Sequence, residues 1–136
     1  MGAAVTYPNV RTARDNFKAL LDASDASRPA VVTRDNRRTA MVDADQLLNF
    51  LMAVRPAGVQ AVAENSGWSL FMPGLPVAAE GNTMDEATDE LIAALHDYAE
   101  AWVERLRHAQ NHAGNWGLVQ IVSLASDEQL REWISR

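Results

Sequence analysis

A chain of 136 residues has room for one ordinary domain or two small ones, and with 48% hydrophobic and 22% charged residues it is too apolar to be disordered throughout. Its longest nearly apolar run, Leu47 to Val54, falls far short of the roughly 20 residues a membrane span needs, and no basic, apolar leader opens the sequence, so a soluble cytoplasmic protein is expected. With no cysteine, disulfides and thiolate metal sites are excluded, which suits a reducing compartment.

The formal net charge of −6 conceals a division along the chain. Residues 1–58 carry eight Arg and Lys against six Asp, a net +2, whereas residues 59–136 carry four against twelve acidic residues, a net −8. A mildly basic front half can meet phosphates. The acidic back half repels them, and either attracts a basic protein or is simply a solvated face.

In chain order, Val5 to Tyr7 reads as a short strand stopped by Pro8, after which Val10, Ala13, Phe17, Leu20 and Leu21 recur at helical spacing. Two β-rich runs, Ala30 to Thr33 and Thr39 to Val42, flank the turn Asp35-Asn36-Arg37 and predict a hairpin. Asp43, with Gln46 three residues on, caps a second helix whose stripe is Leu47, Leu48, Phe50, Leu51 and Val54; Pro56 and Gly58 close the unit. The order β-α-β-β-α in under 60 residues gives a core that is marginal unless a second copy shares it, so a dimer is expected.

Beyond this boundary, Val59 to Ala63 and Trp68 to Met72 read as strands around Asn65-Ser66-Gly67, and Val77 to Glu80 as a third. Thr83 and Glu86 form a capping box ahead of a long helix, in which Met84, Ala87, Leu91, Leu95, Tyr98, Trp102 and Leu106 make one continuous stripe. Trp116 to Leu124 reads as an apolar central strand, and Ser126 with Gln129 caps a last helix bearing Leu130, Trp133 and Ile134. The expectation is an α+β protein with a module over 1–58 and a β-β-β-α-β-α domain over 59–136.

The first module resembles the Phd/YefM antitoxin family over residues 5 to 55. The likeness rests on Val10-Arg11-Thr12-Ala13-Arg14-Asp15-Asn16-Phe17, Val31-Val32-Thr33-Arg34, Ala40-Met41-Val42 and Leu47. That resemblance implies a homodimer that sits on palindromic operator DNA near its own promoter and represses it. It places DNA-facing arginines at Arg14 and Arg34, and Arg11, Arg37 and Arg38 are candidates for further phosphate contacts. Guanidinium groups fork onto phosphates or guanine edges, and a twofold dimer repeats each contact at a second half-site. Taken alone, arginines at a helix start and a hairpin turn are also ordinary solubilising residues.

The second unit is similar to the HicB antitoxin core, a degenerate ribonuclease-H-like fold, over about residues 59 to 124. The matching stretches are Gly67-Trp68-Ser69-Leu70-Phe71-Met72-Pro73-Gly74-Leu75-Pro76 and Glu80-Gly81-Asn82-Thr83-Met84-Asp85-Glu86-Ala87. In that family this core contacts a toxin and a DNA-binding module usually follows it; here the DNA-binding candidate comes first. Phd/YefM antitoxins usually neutralise with a disordered tail, where this chain carries a folded domain. The implied partners are operator DNA and a cognate toxin, RelE-like or HicA-like, with the homodimer or a higher oligomer as the assembly. Rival readings are a stand-alone transcriptional repressor and an interaction module without a toxin.

Catalysis is not expected. The carboxylates Asp85, Asp89 and Glu90 sit at a helix start, where they suit the dipole, and strand positions offer only Glu64 and Glu80 for a metal-dependent nuclease. His108 and His112 are four apart but in a polar run containing Asn and Gly, and read as solvated rather than as ligands, so neither a metal nor a cofactor is expected. The four tryptophans all lie in the second unit. Core packing is their default, with Trp68, Phe71, Trp102 and Trp116 as candidates for an exposed partner-binding patch.

Overall fold

The computed structural model describes residues 4–136, which form two compact units divided between Leu47 and Leu48. The protein is α+β, with two three-stranded sheets and six α-helices among the described residues. None of these helices is long and apolar enough to cross a membrane.

In the first unit β1 (Val5–Tyr7), β2 (Ala30–Arg34) and β3 (Arg37–Met41) form one sheet in that order, β1 parallel to β2 and β2 antiparallel to β3. The helix expected over residues 10–21 is two helices, α1 (Val10–Asp15) and α2 (Phe17–Asp25). Asn16 breaks them: its side chain donates to the Thr12 carbonyl and its N–H to Ala13, so it ends the first helix instead of propagating it. Asn9 opens α1 by accepting from the Thr12 N–H at 2.8 Å.

Ala13, Leu20 and Ala23 from the helices meet Ala30, with Val5, Tyr7, Val32 and Met41 packed around them on one face of the sheet. This core is built largely of alanine. Val10, Phe17 and Leu21 belong to the same periodic series yet stay 49%, 45% and 47% exposed. Asp43 then caps α3 (Ala44–Val54) by accepting from the Gln46 N–H, and the division between the units falls inside this helix.

The second unit holds β4 (Gln60–Glu64), β5 (Gly67–Phe71) and β6 (Ala78–Gly81), an antiparallel sheet in that order, and α4 (Met84–Glu104). Thr83 accepts from the Glu86 N–H and the Glu86 carboxylate accepts from the Asn82 N–H, so the expected capping pair is formed, its second bond one residue earlier than in the standard box. Buried positions on α4 make two stripes: Ala87, Leu91, Leu95, Tyr98 and Trp102, joined by Thr88, Ile92 and Ala99. A face that wide needs more cover than one sheet gives, and α4 packs on β5, β6 and two further helices, α5 (Trp116–Leu124) and α6 (Asp127–Ile134).

The segment expected as a central strand is thus helix α5, and the order of the second unit is β-β-β-α-α-α. Leu118, Val119, Ile121 and Val122 are buried, a spacing of one, two and one that a helix supplies and a strand does not, while Ser123 turns back to the Val119 carbonyl. Packing against α4 overrides the β-branched bias of Val119, Ile121 and Val122. The Ser126–Gln129 capping box forms as expected and starts α6, which buries Leu130, Trp133 and Ile134.

A half-buried polar network joins these helices. Arg55 donates to Asn115 Oδ1 at 3.0 Å, which leaves Asn115 Nδ2 to donate to the Tyr98 hydroxyl at 2.9 Å. That hydroxyl then has its proton free for His112 Nδ1, 2.8 Å away. Trp102 donates to the His112 carbonyl and Trp133 to that of Arg55. His112 is therefore a structural side chain, not the solvated one the polar run suggested. Because α4 ends at Glu104, it shares no helix with His108.

Candidate functional site

The β2–β3 hairpin turns through Asp35 and Asn36 alone, with φ of 49° and 66°. A two-residue turn with both centres left-handed fits the twist of the strands, and Asp and Asn are among the residues that tolerate it. This turn fixes the register. Arg34 pairs with Arg37, so the two guanidinium stems leave the same face, while Arg38 pairs with Thr33 and leaves the other. Like charges directly opposite each other on a sheet are destabilising, so the hairpin tip carries a repulsion that a bound anion would relieve.

The helix arginines approach the same end. β1 runs parallel to β2 and passes through Pro8 and Asn9 straight into α1, which therefore begins at the end of the sheet from which the hairpin projects. Arg11 stands in its first turn, and Arg14, three residues on, follows along the same side. All five arginines are exposed. Arg14 lies 3.8 Å from Asp15 in an open, loose pair, and neither Arg14 nor Arg34 is buried against a carboxylate. Lys18 is engaged within α2: its hydrogen bond to Asp22, and then the charge of that carboxylate, raise its pKa.

In the second unit the candidate aromatic residues separate. Trp102 is buried and spends its N–H inside the network described above. Trp116 is 51% exposed at the start of α5. Phe71 is half-buried on β5, on the sheet face opposite Leu70, which is buried. Trp68, also half-buried, lines a groove of about 650 Å³ between β6 and one flank of α4.

The groove was not visible from the sequence. Ala78, Ala79, Glu80 and Gly81 form one wall and Glu86, Glu90, Ala93, Ala94 and Asp97 the other, with Glu64 at one end. It is lined by five carboxylates and by no Lys or Arg. Two acids of α4 outside this lining share one cation, Arg131 of α6, which pairs with Asp89 and lies 4.0 Å from Asp85. Among the described residues no group of His, Asp and Glu is arranged to hold a metal ion.

Residues 5–135 match the model of the PHD-like family, described as the antitoxin of toxin–antitoxin RelE / RelB systems. The fold is similar to a crystal structure from Syntrophomonas wolfei subsp. wolfei, described as an antitoxin part of a toxin/antitoxin system. The TM-score is 0.77 at 15% identity, over 96% of this chain and 94% of that one. No curated protein sequence matches the chain.

Proposed function

Since the chain belongs to the PHD-like family of antitoxins of RelE / RelB systems, we propose that it acts as a dimeric autorepressor whose first unit grips operator DNA and whose second unit neutralises a RelE-like toxin. The observation that carries the DNA reading is the pairing of Arg34 with Arg37 at a projecting hairpin tip, with Arg38 behind it and Arg11 at the same end of the unit. Two cations held face to face against their own repulsion are arranged for phosphates or a guanine edge.

Dimerisation is supported by Val10, Phe17 and Leu21, an apolar series on α1 and α2 left open beside a core made largely of alanine. A second copy would bury this series and place the arginine cluster twice, at matching half-sites. The second unit carries the acidic excess, repels DNA and is left for a basic protein.

The test is fluorescence anisotropy of a duplex from the gene's own upstream region, titrated at several salt concentrations. Wild type is expected to bind tightly with a steep salt dependence, and Arg34→Ala to lose about 1–3 kcal/mol per half-site and flatten that slope. Binding no tighter than to a random duplex rejects operator recognition. Co-expression with a RelE-like toxin tests the second half: growth is expected to recover.

A further inference from the structure

The sheet of the second unit ends at β6, and what lies beside that open edge is the 650 Å³ carboxylate-lined groove. Resting on the antitoxin reading above, we infer that the toxin is held here by strand addition: an extended segment with Arg or Lys at alternate positions pairs with β6 and lays its basic side chains along α4.

The backbone supplies the first half of the argument. Met72 donates to the Val77 carbonyl, so the ladder between β5 and β6 starts with a bonded pair there, and antiparallel alternation turns the N–H and C=O of Ala78 and Glu80 away from β5. Those groups face the open edge. An exposed edge is an invitation to another strand, and proteins that need to refuse it place Pro, Lys or a bulge there. The run Ala78-Ala79-Glu80-Gly81 has no Pro, Lys or bulge; its one charge, Glu80, would deter an acidic or neutral neighbour but attract a basic one, and its alanines leave room for a neighbour's side chains.

Charge supplies the second half. Glu86 is engaged by the Asn82 N–H and Glu64 by the Ser69 hydroxyl, but Glu90 and Asp97, two turns apart on the same flank of α4, have no hydrogen bond or ion pair with any described residue. An incoming strand puts alternate side chains on each face of the sheet, so one set points toward α4 and meets these carboxylates. Main-chain bonds would supply affinity and the alternating charges register and specificity. The other outer strand, β4, borders a hollow whose charged lining is Asp85 with Arg131 and Arg136, so its carboxylate is opposed by arginines and offers no acidic wall.

The probe is an end-blocked peptide of alternating Arg and Val, followed by amide NMR on the full chain. Shifts and slowed exchange are expected at Ala78 and Glu80. A peptide N-methylated at alternate residues, which keeps the charge but cannot pair, and the exposed double variant Glu90→Arg with Asp97→Arg should each weaken binding by about tenfold or more. Equal binding of the methylated peptide would mean charge attraction without strand addition and would overturn the inference, as would shifts that avoid β6. Toxin neutralisation separates the two levels. If wild type and the double variant rescue growth equally, this site is wrong and the antitoxin reading stands; if wild type fails to rescue, the reading beneath it fails.

Discussion

The two units solve the problem of a small core in opposite ways. In Met1–Leu47 the buried cluster is Ala13, Leu20, Ala23 and Ala30, while Phe17 and Leu21 on the same helix remain open. In Leu48–Arg136 large side chains vanish from solvent altogether: Trp133, Leu91, Leu95, Leu118, Ile121 and Leu130. At roughly 25 cal/mol per Å² of apolar surface, burying leucines and a tryptophan stabilises far more than burying alanines. The second unit can therefore leave a groove and a strand edge open without collapsing. The first has little to spare, and under the proposed function a second copy would supply the missing apolar burial. Residues 1–58 are net basic and residues 59–136 net acidic, and under the proposed function that asymmetry would divide the work between nucleic acid and protein.

The sharpest way to break that contrast is Trp133→Ala. Its ring is fully buried and its N–H is bonded to the Arg55 carbonyl, so truncation leaves a cavity and an unpaired carbonyl. A loss of about 3–5 kcal/mol is expected, read as a fall in the urea midpoint. Amide exchange resolves where the loss occurs: it should speed up through α4, α5 and α6 while the sheet of the first unit keeps its protection. Equal acceleration in both would make the chain one cooperative body and end the comparison.

A smaller effect, confined to the other unit, is expected from Phe17→Ser with Leu21→Ser. Both positions are nearly half exposed in a single chain, so the fold should survive. Removing them from a shared interface should cost about 2 kcal/mol or more in association, seen in sedimentation as a dimer dissociating at higher concentration, with operator affinity falling alongside. A dimer unchanged in strength places the twofold contact elsewhere and leaves the alanine core to stand by itself.

Much of the fold was legible because local chemistry settles it. Asp35-Asn36 between β-rich runs specifies a hairpin, and Thr83 with Glu86 or Ser126 with Gln129 specifies a helix start, whatever the chain does elsewhere. Misreadings arose where the deciding contact is distant. Trp116 to Leu124 is apolar enough for a buried strand or a buried helix, and only packing on α4 selects between them. Asn16 is a modest interruption in a helical period, and its bond to Thr12 is visible only in three dimensions. The arginines of the candidate interface were readable one by one, but the opposition of Arg34 and Arg37 depends on a register set by a turn of two residues. The groove had no sequence signal, because its walls come from β6 and from a helix flank that looked merely solvated.

The polar network offers the finest test of the second unit's completeness, since it spans residues from Arg55 to Asn115 that no local pattern joins. Tyr98→Phe keeps the ring in place and removes only the hydroxyl, which accepts from Asn115 and stands 2.8 Å from His112. Both partners are half-buried, so water can replace part of what is lost, and the cost should be about 1–2 kcal/mol, with the denaturant slope unchanged. Asn115→Ala should cost a similar amount, yet the two together should cost less than their sum by about 1 kcal/mol, because each change alone already breaks the shared bond. Strict additivity would mean that Asn115 and Tyr98 act independently. The second unit would then owe its stability to apolar burial alone, and the contrast with the alanine core of the first would rest only on the size of the side chains that each unit can hide.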